Sequence, residues 1–486
     1  MSLSVALNTA RSSIQATSTQ IATSGKNVAG ADDPTYSRKI ASKTTTADGS
    51  ARLVSIGRAT DVALYTRMLG ATSATTGATA RLEGIERLAE TVGDPELETS
   101  PAAKIGALSS ALLEYANTPD DPLFGQNVVT AASDLTRTMN AAAETVLTVR
   151  KDADADIAAS VDRLNGLLGR FEEMNQAVVA GSGTGRDITQ LMDQRDALLS
   201  QISEEIGISV VNRGQNNDLV LYTDSGVTLF ETRARVVAFT PASILTAGMT
   251  GNAVTIDGVP VTGSNASMPL QSGRLVGLTE VRDEVAMTYQ RQLDEMARGL
   301  VTAFAEADQT AGGAPDLPGL FTFPSATGVP GVVTANLSVV LQVNPAVDPA
   351  QGGAVARLRD GINGGVYTYN TGGGASFSVR LRGLVDGLAG NQSFDAGTGL
   401  SPVSSLQEFA AGSVSWIEAL RAGATRSADY ETALLSRASE ALSNATGVNL
   451  DEEYAIQLQL EQSFGASSRL ISVIDDLFKT LLGIVR

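Results

Sequence analysis

Three kinds of residue cluster in this chain of 486 residues could carry chemistry. The run Lys151-Asp-Ala-Asp-Ala-Asp156 opens like a calcium loop, with Asp152, Asp154 and Asp156 as its first carboxylates. Such a loop turns on a glycine at its sixth position and closes on a glutamate at its twelfth. Ile157 and Arg163 stand there instead. On a helix the three aspartates point apart, so the run reads as a solvated helical face. The stretch Gly181-Ser-Gly-Thr-Gly185 has the glycine density of a phosphate loop. It lacks the Lys-Ser/Thr that must follow and the strand that must precede, and it reads as a linker between helices. Asp32-Asp33 and Asp451-Glu452-Glu453 are adjacent carboxylates. Adjacency does not aim two groups at one substrate, and capping or solvation accounts for them more simply.

What is absent narrows the chemistry further. The chain has no cysteine and no histidine. Disulfides, thiolate nucleophiles, Cys/His zinc sites and any histidine triad are excluded. The reading is a structural protein, not an enzyme, with no metal and no cofactor. Thirty-five Lys and Arg stand against 53 Asp and Glu, a formal net charge of −18, and no basic block stands out. Phosphate backbones and anionic lipid surfaces both require concentrated positive charge, so neither nucleic acid nor membrane is an expected partner. The first 25 residues lack the basic and apolar blocks of a signal peptide, and no apolar run is long enough to span a bilayer.

With so little side-chain chemistry, the informative feature is the pattern of the elements. Leu3, Leu7, Ala10, Ile14, Thr17, Ile21, Ser24 and Val28 recur at alternating steps of four and three, which keeps one seam of a helix toward a partner. The other positions are mostly Ser, Thr, Asn and Gln, a neutral face suited to dense packing. Near the other end, Leu460, Phe464, Ser467, Ile471, Ile474, Phe478, Leu481 and Val485 repeat the spacing. Asn449 is placed to cap that helix, with Asp451, Glu452 and Glu453 in its first turn. These two helices either pair with each other, or pack against other molecules, or both.

Between the ends, residues 30–60 mix Gly, Asp, Thr and Ser with short apolar groups, and Gly30–Pro34 reads as a helix stop followed by a loop. Helical spacing covers Ile56–Leu88, 101–116 and 127–180, with Asp94-Pro95 and Ser100-Pro101 as punctuation. Ile188, Leu191, Leu198, Ile202 and Ile206 form a further apolar helical face after Asp187. From Gly207 the grammar changes. Ile208–Val211, Leu219–Tyr222, Val227–Phe230 and Val236–Phe239 read as strands with turns at Asp224-Ser-Gly226 and Asp257-Gly258. Helix returns over Gly277–Asp308. A Gly/Pro-rich segment follows, then short strands such as Ser376–Leu381, and helix again from Leu406 with a break near Thr446-Gly447. The expected fold is mainly α with β-rich insertions: a long helical trunk formed by both chain ends, with coiled-coil-like terminal helices. The expected units are 1–50 with 445–486 as a terminal helical domain, and 51–206 with 272–310 and 405–444 as trunk. Residues 207–271 form a β-rich insertion and 311–404 an outer β-rich domain.

Three segments carry a family resemblance. Lys26-Asn-Val-Ala-Gly-Ala-Asp-Asp-Pro-Thr-Tyr-Ser-Arg38 resembles the Asn-Ile-Ala-Asn-x-x-Thr-Pro-Gly-Tyr-Ser-Arg motif of flagellar rod, hook and hook-associated axial proteins. Asn27, Ala29, Pro34, Tyr36, Ser37 and Arg38 match it. Val28 replaces Ile, Gly30 the second Asn, Asp33 the Thr and Thr35 the Gly. Ser443–Glu453 and the Gln-rich helix ending Leu477-Phe-Lys-Thr-Leu-Leu-Gly-Ile-Val-Arg486 resemble the family's C-terminal helix, with one extra residue before Arg486. Leu191-Met-Asp-Gln-Arg-Asp-Ala-Leu-Leu199 is similar to an internal helix of the junction members.

The resemblance implies a structural adaptor subunit of the bacterial flagellum, joining hook to filament, secreted through the flagellar type III export channel and ending outside the cell. It implies self-association in a junction ring, with hook protein, a second hook–filament junction protein and a cytoplasmic export chaperone as partners. Another axial role, hook protein or second junction protein, is the alternative, and the Asp193-Gln194-Arg195-Asp196 helix favours the adaptor. The expected assembly interface comprises Leu3, Leu7, Ile14, Ile21, Asn27, Pro34, Tyr36, Arg38, Leu460, Phe464, Ile471, Ile474, Phe478 and Leu481.

Overall fold

The computed structural model describes residues 3–46, 51–92, 99–184, 186–214, 216–246 and 248–484. Twelve α-helices carry most of the ordered backbone among them: α1 Leu3–Ala29, α2 Val62–Ala89, α3 Pro101–Asn117, α4 Pro122–Thr184, α5 Thr189–Glu205, α6 Arg274–Glu280, α7 Ala286–Ala303, α8 Leu337–Val340, α9 Arg357–Asp360, α10 Val379–Ala389, α11 Leu406–Thr446 and α12 Leu450–Ile484. A five-residue π turn joins α6 to α7 at Val281–Val285. The fold is mainly helical, with long helices from the two chain ends packed together as α1 on α12 and α2 on α11.

Local sequence sets the helix starts. Asp61 Oδ1 accepts from Leu64 N at the head of α2. Ser100 caps α3, with Pro101 at its first position, where a missing N–H costs nothing. Ser405 and Glu408 form a reciprocal capping box on α11. Asn449 Oδ1 accepts from Asp451 N and Glu452 N, the cap expected for α12.

The spine is α4, 63 residues in one helix, about 95 Å long at roughly 1.5 Å per residue. It serves two cores. Val128 to Val149 pack with α3, α7, the outer segment and the start of α11. Ile157 to Phe171 pack with α5, α6 and the first β insertion. The α1–α12 pair joins neither core.

Strands β1 (Lys39–Thr45) and β2 (Ala51–Arg58) form an antiparallel hairpin against α1. Strands β3 (Ile208–Asn212), β4 (Leu219–Thr223) and β5 (Thr228–Phe230) form an antiparallel sheet in chain order, followed by β6 (Val237–Ala238), β7 (Thr255–Ile256) and β8 (Val259–Pro260). Of these, β3 to β6 are the strands expected after Gly207, while β7 and β8 flank the expected Asp257-Gly258 turn. In the outer segment, β9 (Phe321–Thr322) pairs with β10 (Gln342–Val343), and β11 (Asn391–Ser393) with β12 (Val403–Ser405).

Several local readings are corrected. Residues 30–60, for which no strand is expected, hold the paired β1 and β2. Ser376–Leu381 is not a strand, because α10 starts at Val379 and buries Leu381, Leu384 and Leu388 at helical spacing. The glycine run does not end α4, which continues to Thr184. Gly181 is needed there for closeness, since a Cβ would lie 2.4 Å from Ile188 Cγ2. Nor is Asp154 solvated. It is buried between the two cores, accepting from Arg282 Nη1 at 2.6 Å and from Ala242 N at 2.7 Å. Asp94-Pro95, Gly185, Val485 and Arg486 lie outside the described residues.

Candidate assembly site

The family-like residues converge at the joint where α1, the β1–β2 hairpin, α12 and α5 meet. At its centre is Asn27, which is buried. Its Nδ2 donates to Lys39 O at 2.9 Å and to Glu453 Oε1 at 3.0 Å. Its Oδ1 accepts from Lys39 N at 2.9 Å and from the Tyr36 hydroxyl at 3.0 Å. A side-chain amide has two donors and two lone pairs to offer, and here all four are used. An aspartate would set an acceptor oxygen against Lys39 O and Glu453 Oε1 where the amide donates.

Glu453 is the second hub. Its carboxylate also accepts from Ser24 Oγ and from Arg38 Nε, both at 2.8 Å. Arg38 reaches Glu452 at 3.2 Å as well, and its backbone N donates to Thr446 O at the end of α11. Asn27, Tyr36 and Arg38 thus tie the end of α1 to the start of α12. Glu453 is therefore a buried partner rather than the solvated first-turn carboxylate expected of it.

The turn between these residues accommodates its departures from the family pattern. Thr35 N and Oγ1 both donate to Asp33 Oδ1, at 2.9 and 2.7 Å. Those two bonds hold the Asp33 carboxyl below its usual range. Asp for Thr at 33 and Thr for Gly at 35 therefore act together, and Thr35 is not left-handed. Gly30 leaves room for the Tyr36 ring, whose Cδ2 would lie 2.6 Å from an added Cβ. Pro34 is exposed. Burial, reinforced by the charges of Asp193, Glu453 and Asp187, pushes the Tyr36 phenol up to about 12.

Behind the turn the joint reaches the trunk. Lys39 Nζ lies 3.5 Å from the Tyr36 ring centroid and 2.7 Å from Asp193 Oδ2. Arg58, at the end of β2, bridges Asp193 Oδ1 and Asp196 Oδ2, each at 2.8 Å. The Tyr65 hydroxyl donates to Asp196 O at 2.6 Å. Arg195 turns the other way, donating to Asn175 Oδ1 of α4 and to Asn217 O beside the sheet. The Asp193-Gln194-Arg195-Asp196 segment thus sends two carboxylates to the hairpin and one guanidinium to α4 and the sheet. Burial raises the Asp196 carboxyl above its ordinary value, with Arg58 and Arg195 opposing.

Away from the joint, α1 and α12 run antiparallel: Ser24 meets Glu453, and Ser13 Oγ lies 3.2 Å from Ser467 Oγ. Leu460 and Ile474 are buried, while Ile471 and Phe478 are half-buried and Phe464 and Leu481 exposed. On α1 the buried positions of the seam are Ala10, Thr17 and Ser24, and Leu3, Leu7, Ile14 and Ile21 are only half-buried. The small residues face inward, which lets the backbones approach closely.

Neither periodicity nor resemblance singles out Lys39, Arg58 or Tyr65, and both leave Ser24 and Glu453 in other roles. One signal was present: Asp48-Gly49 between two runs rich in Thr, Ile and Val is hairpin grammar. Lys39 and Arg58 bracket those runs, and buried cations at a hairpin base call for carboxylates elsewhere.

Among the described residues, no group of three or more Asp, Glu, His or Cys could hold a metal, and no helix is long and apolar enough to cross a membrane. The helical chain ends are closed on one another by this joint, beside a trunk that carries the β insertions. The flagellar hook-associated protein FlgK helical domain matches residues 86–319. Flagellar hook-associated protein 1 of Escherichia coli K12 is 25% identical over 318 residues, covering 63% of this chain and 55% of that protein. The Salmonella typhimurium protein of the same name is 24% identical over 264 residues, covering 53% and 46%. The chain spans about half the length of these curated relatives. The flagellar hook junction protein FlgK from Burkholderia pseudomallei shares the fold, with a TM-score of 0.56 at 15% identity, over 77% of this chain and 99% of that one. Over these spans the chain is similar to flagellar hook-associated protein 1.

Proposed function

We propose that this chain is a structural subunit of the hook–filament junction, exported by the flagellar type III route and assembled outside the cell through its terminal helix pair. The observation that carries this reading is the joint. Asn27, Tyr36 and Arg38 meet at Glu453 and lock both chain ends together, and Lys39 and Arg58 fix that unit to the trunk through Asp193 and Asp196. A joint of this kind orients a terminal pair for packing against other subunits. The pair also offers an apolar flank: Leu470, Val473, Leu477 and Leu481 are exposed along α12. In this reading the seam residues Leu460, Ile471, Ile474 and Phe478 hold α12 to α1, and the flank contacts neighbouring subunits.

The partners in this reading are further copies of the chain, hook protein on one side, the second junction protein on the other and an export chaperone before secretion. The units are the terminal domain, residues 1–50 with 445–486, the trunk, the insertion 207–271 and an outer domain 311–404. Deleting the gene tests the role. Normal hooks without attached filaments are the expected phenotype. Absent or malformed hooks would instead assign the chain to another axial position.

A further inference from the structure

The two terminal helices carry leftover charge of opposite sign. No carboxylate occurs anywhere in α1, whose charged residues are Arg11 and Lys26. Over residues 450–468, α12 has Asp451, Glu452, Glu453 and Glu461 and no cation. Glu452 and Glu453 are taken by Arg38. Among the described residues, Asp451 and Glu461 have no ion-pair partner, and neither do Arg11 and Lys26. All four side chains are exposed.

Helix geometry explains why they do not meet within one copy. At about 100° per residue, Ser4, Asn8, Arg11, Gln15, Ser18, Ala22, Gly25 and Lys26 line the face of α1 opposite its contact with α12, and every one is exposed. On α12, Asp451, Tyr454, Leu458 and Glu461 line one side of the seam, with Tyr454 50% and Leu458 62% exposed. The apolar flank from Leu470 to Leu481 lies on the other side of that seam and nearer the free end. Two large side chains beside Asp451, and a small-residue face ending at Lys26, are complementary in shape and, at Asp451 and Lys26, in sign.

We propose that the Asp451–Tyr454–Leu458–Glu461 stripe of one copy packs on the outward face of α1 in the next copy. The antiparallel pairing sets the level. Glu453 lies beside Ser24 and Ser467 beside Ser13, so in a neighbour at the same height Asp451 faces Lys26, and Tyr454 and Leu458 cover Ala22 and Gly25. The contact joins two different surfaces, so it propagates from copy to copy around a ring or helix instead of closing a dimer. This inference rests on the proposed assembly through the terminal pair and names the surface and the sign of its charges.

The absence of native cysteine makes the test direct. Chains carrying Ala22→Cys or Leu458→Cys are mixed, both as the concentrated purified protein and as co-expressed subunits in isolated hook–filament junctions, and then oxidised. The expected product is a dimer linking the two kinds of chain, in several-fold excess over dimers of either kind alone. Adding Lys26→Glu should lower that yield several-fold, and adding Asp451→Lys as well should restore it. A Leu458→Cys chain that links mainly to itself overturns the proposal, as does a yield indifferent to both charge changes. So does the absence of the mixed dimer from both preparations. If deletion of the gene still strips filaments from normal hooks while no mixed dimer forms, only this contact fails and the junction role stands.

Discussion

The trunk and the terminal pair are both helical, yet different side chains hold them. In the trunk, Leu164, Leu168 and Phe171 are fully buried on α4, and Phe171 packs edge-on to Phe230 at 5.1 Å between centroids. The terminal pair has Ala10, Thr17 and Ser24 against Leu460 and Ile474, and its joint is built from an amide, a phenol and a set of ion pairs. Apolar burial is proportional to area and tolerates small shifts. A hydrogen-bonded joint is directional, and leaving one of its buried groups unpaired carries the full desolvation penalty. The trunk is therefore self-sufficient, whereas the terminal pair has precise orientation but little core of its own.

This contrast can be broken from either side. The largest effect should come from the trunk: Phe171→Ala should cost about 3–5 kcal/mol, as buried aromatic truncations do, and lower the main thermal transition seen by circular dichroism. Asp193→Ala comes next. It leaves Lys39 and Arg58 buried without their shared carboxylate, a kind of loss that costs roughly 3–5 kcal/mol. Its effect should be local. Amide exchange should rise in the hairpin and at the start of α12 while the main transition moves little.

Tyr36→Phe should be milder and pH-dependent. The phenol is pushed up to about 12 in the folded chain, against about 10 when unfolded. Between those values the folded state holds the extra proton, so stability from this group is intact below about pH 10 and falls as pH rises toward 12. Tyr289, in the trunk, is also pushed up to about 12 by burial. The variant should therefore flatten the alkaline loss of protection at the joint and leave that of the trunk unchanged. A joint that loses protection equally fast in both proteins would contradict this. Smallest of all is Lys479→Gln, because Lys479 is exposed and, among the described residues, pairs only with Asp475 and Asp476 of its own helix. Neither melting nor filament attachment should change.

The parts of this molecule legible in sequence are those governed by periodicity. The four–three spacing located α1, most of α4 and all of α12, and the Asn449 cap was readable from its type and place. Strand grammar located Ile208–Asn212 and Leu219–Thr223. The joint was only half visible. Asn27, Tyr36 and Arg38 stood out through a resemblance, but Glu453 looked like any acid in a first helical turn, and its burial depends on a helix hundreds of positions away. Asp154 misled for the same reason, since Arg282 makes it a buried partner from 128 positions further on. Ser376–Leu381 misled because a β-branched, aromatic run within a glycine-rich segment has strand composition, while packing of Leu381, Leu384 and Leu388 selects a helix.

The central claim is that the terminal pair is a separate, weakly cored unit attached to a self-sufficient trunk. Amide exchange by mass spectrometry on purified Ile474→Asp tests it most directly. Ile474 is 5% exposed in the α12 seam, and a charge there is strongly disfavoured. The predicted result is fast exchange over Leu3–Ala29 and Leu450–Ile484, with protection of Pro122–Thr184 and Ala286–Ala303 equal to that of the unaltered chain. Loss of protection in those trunk helices would contradict the claim, because it would place α12 within a single cooperative core.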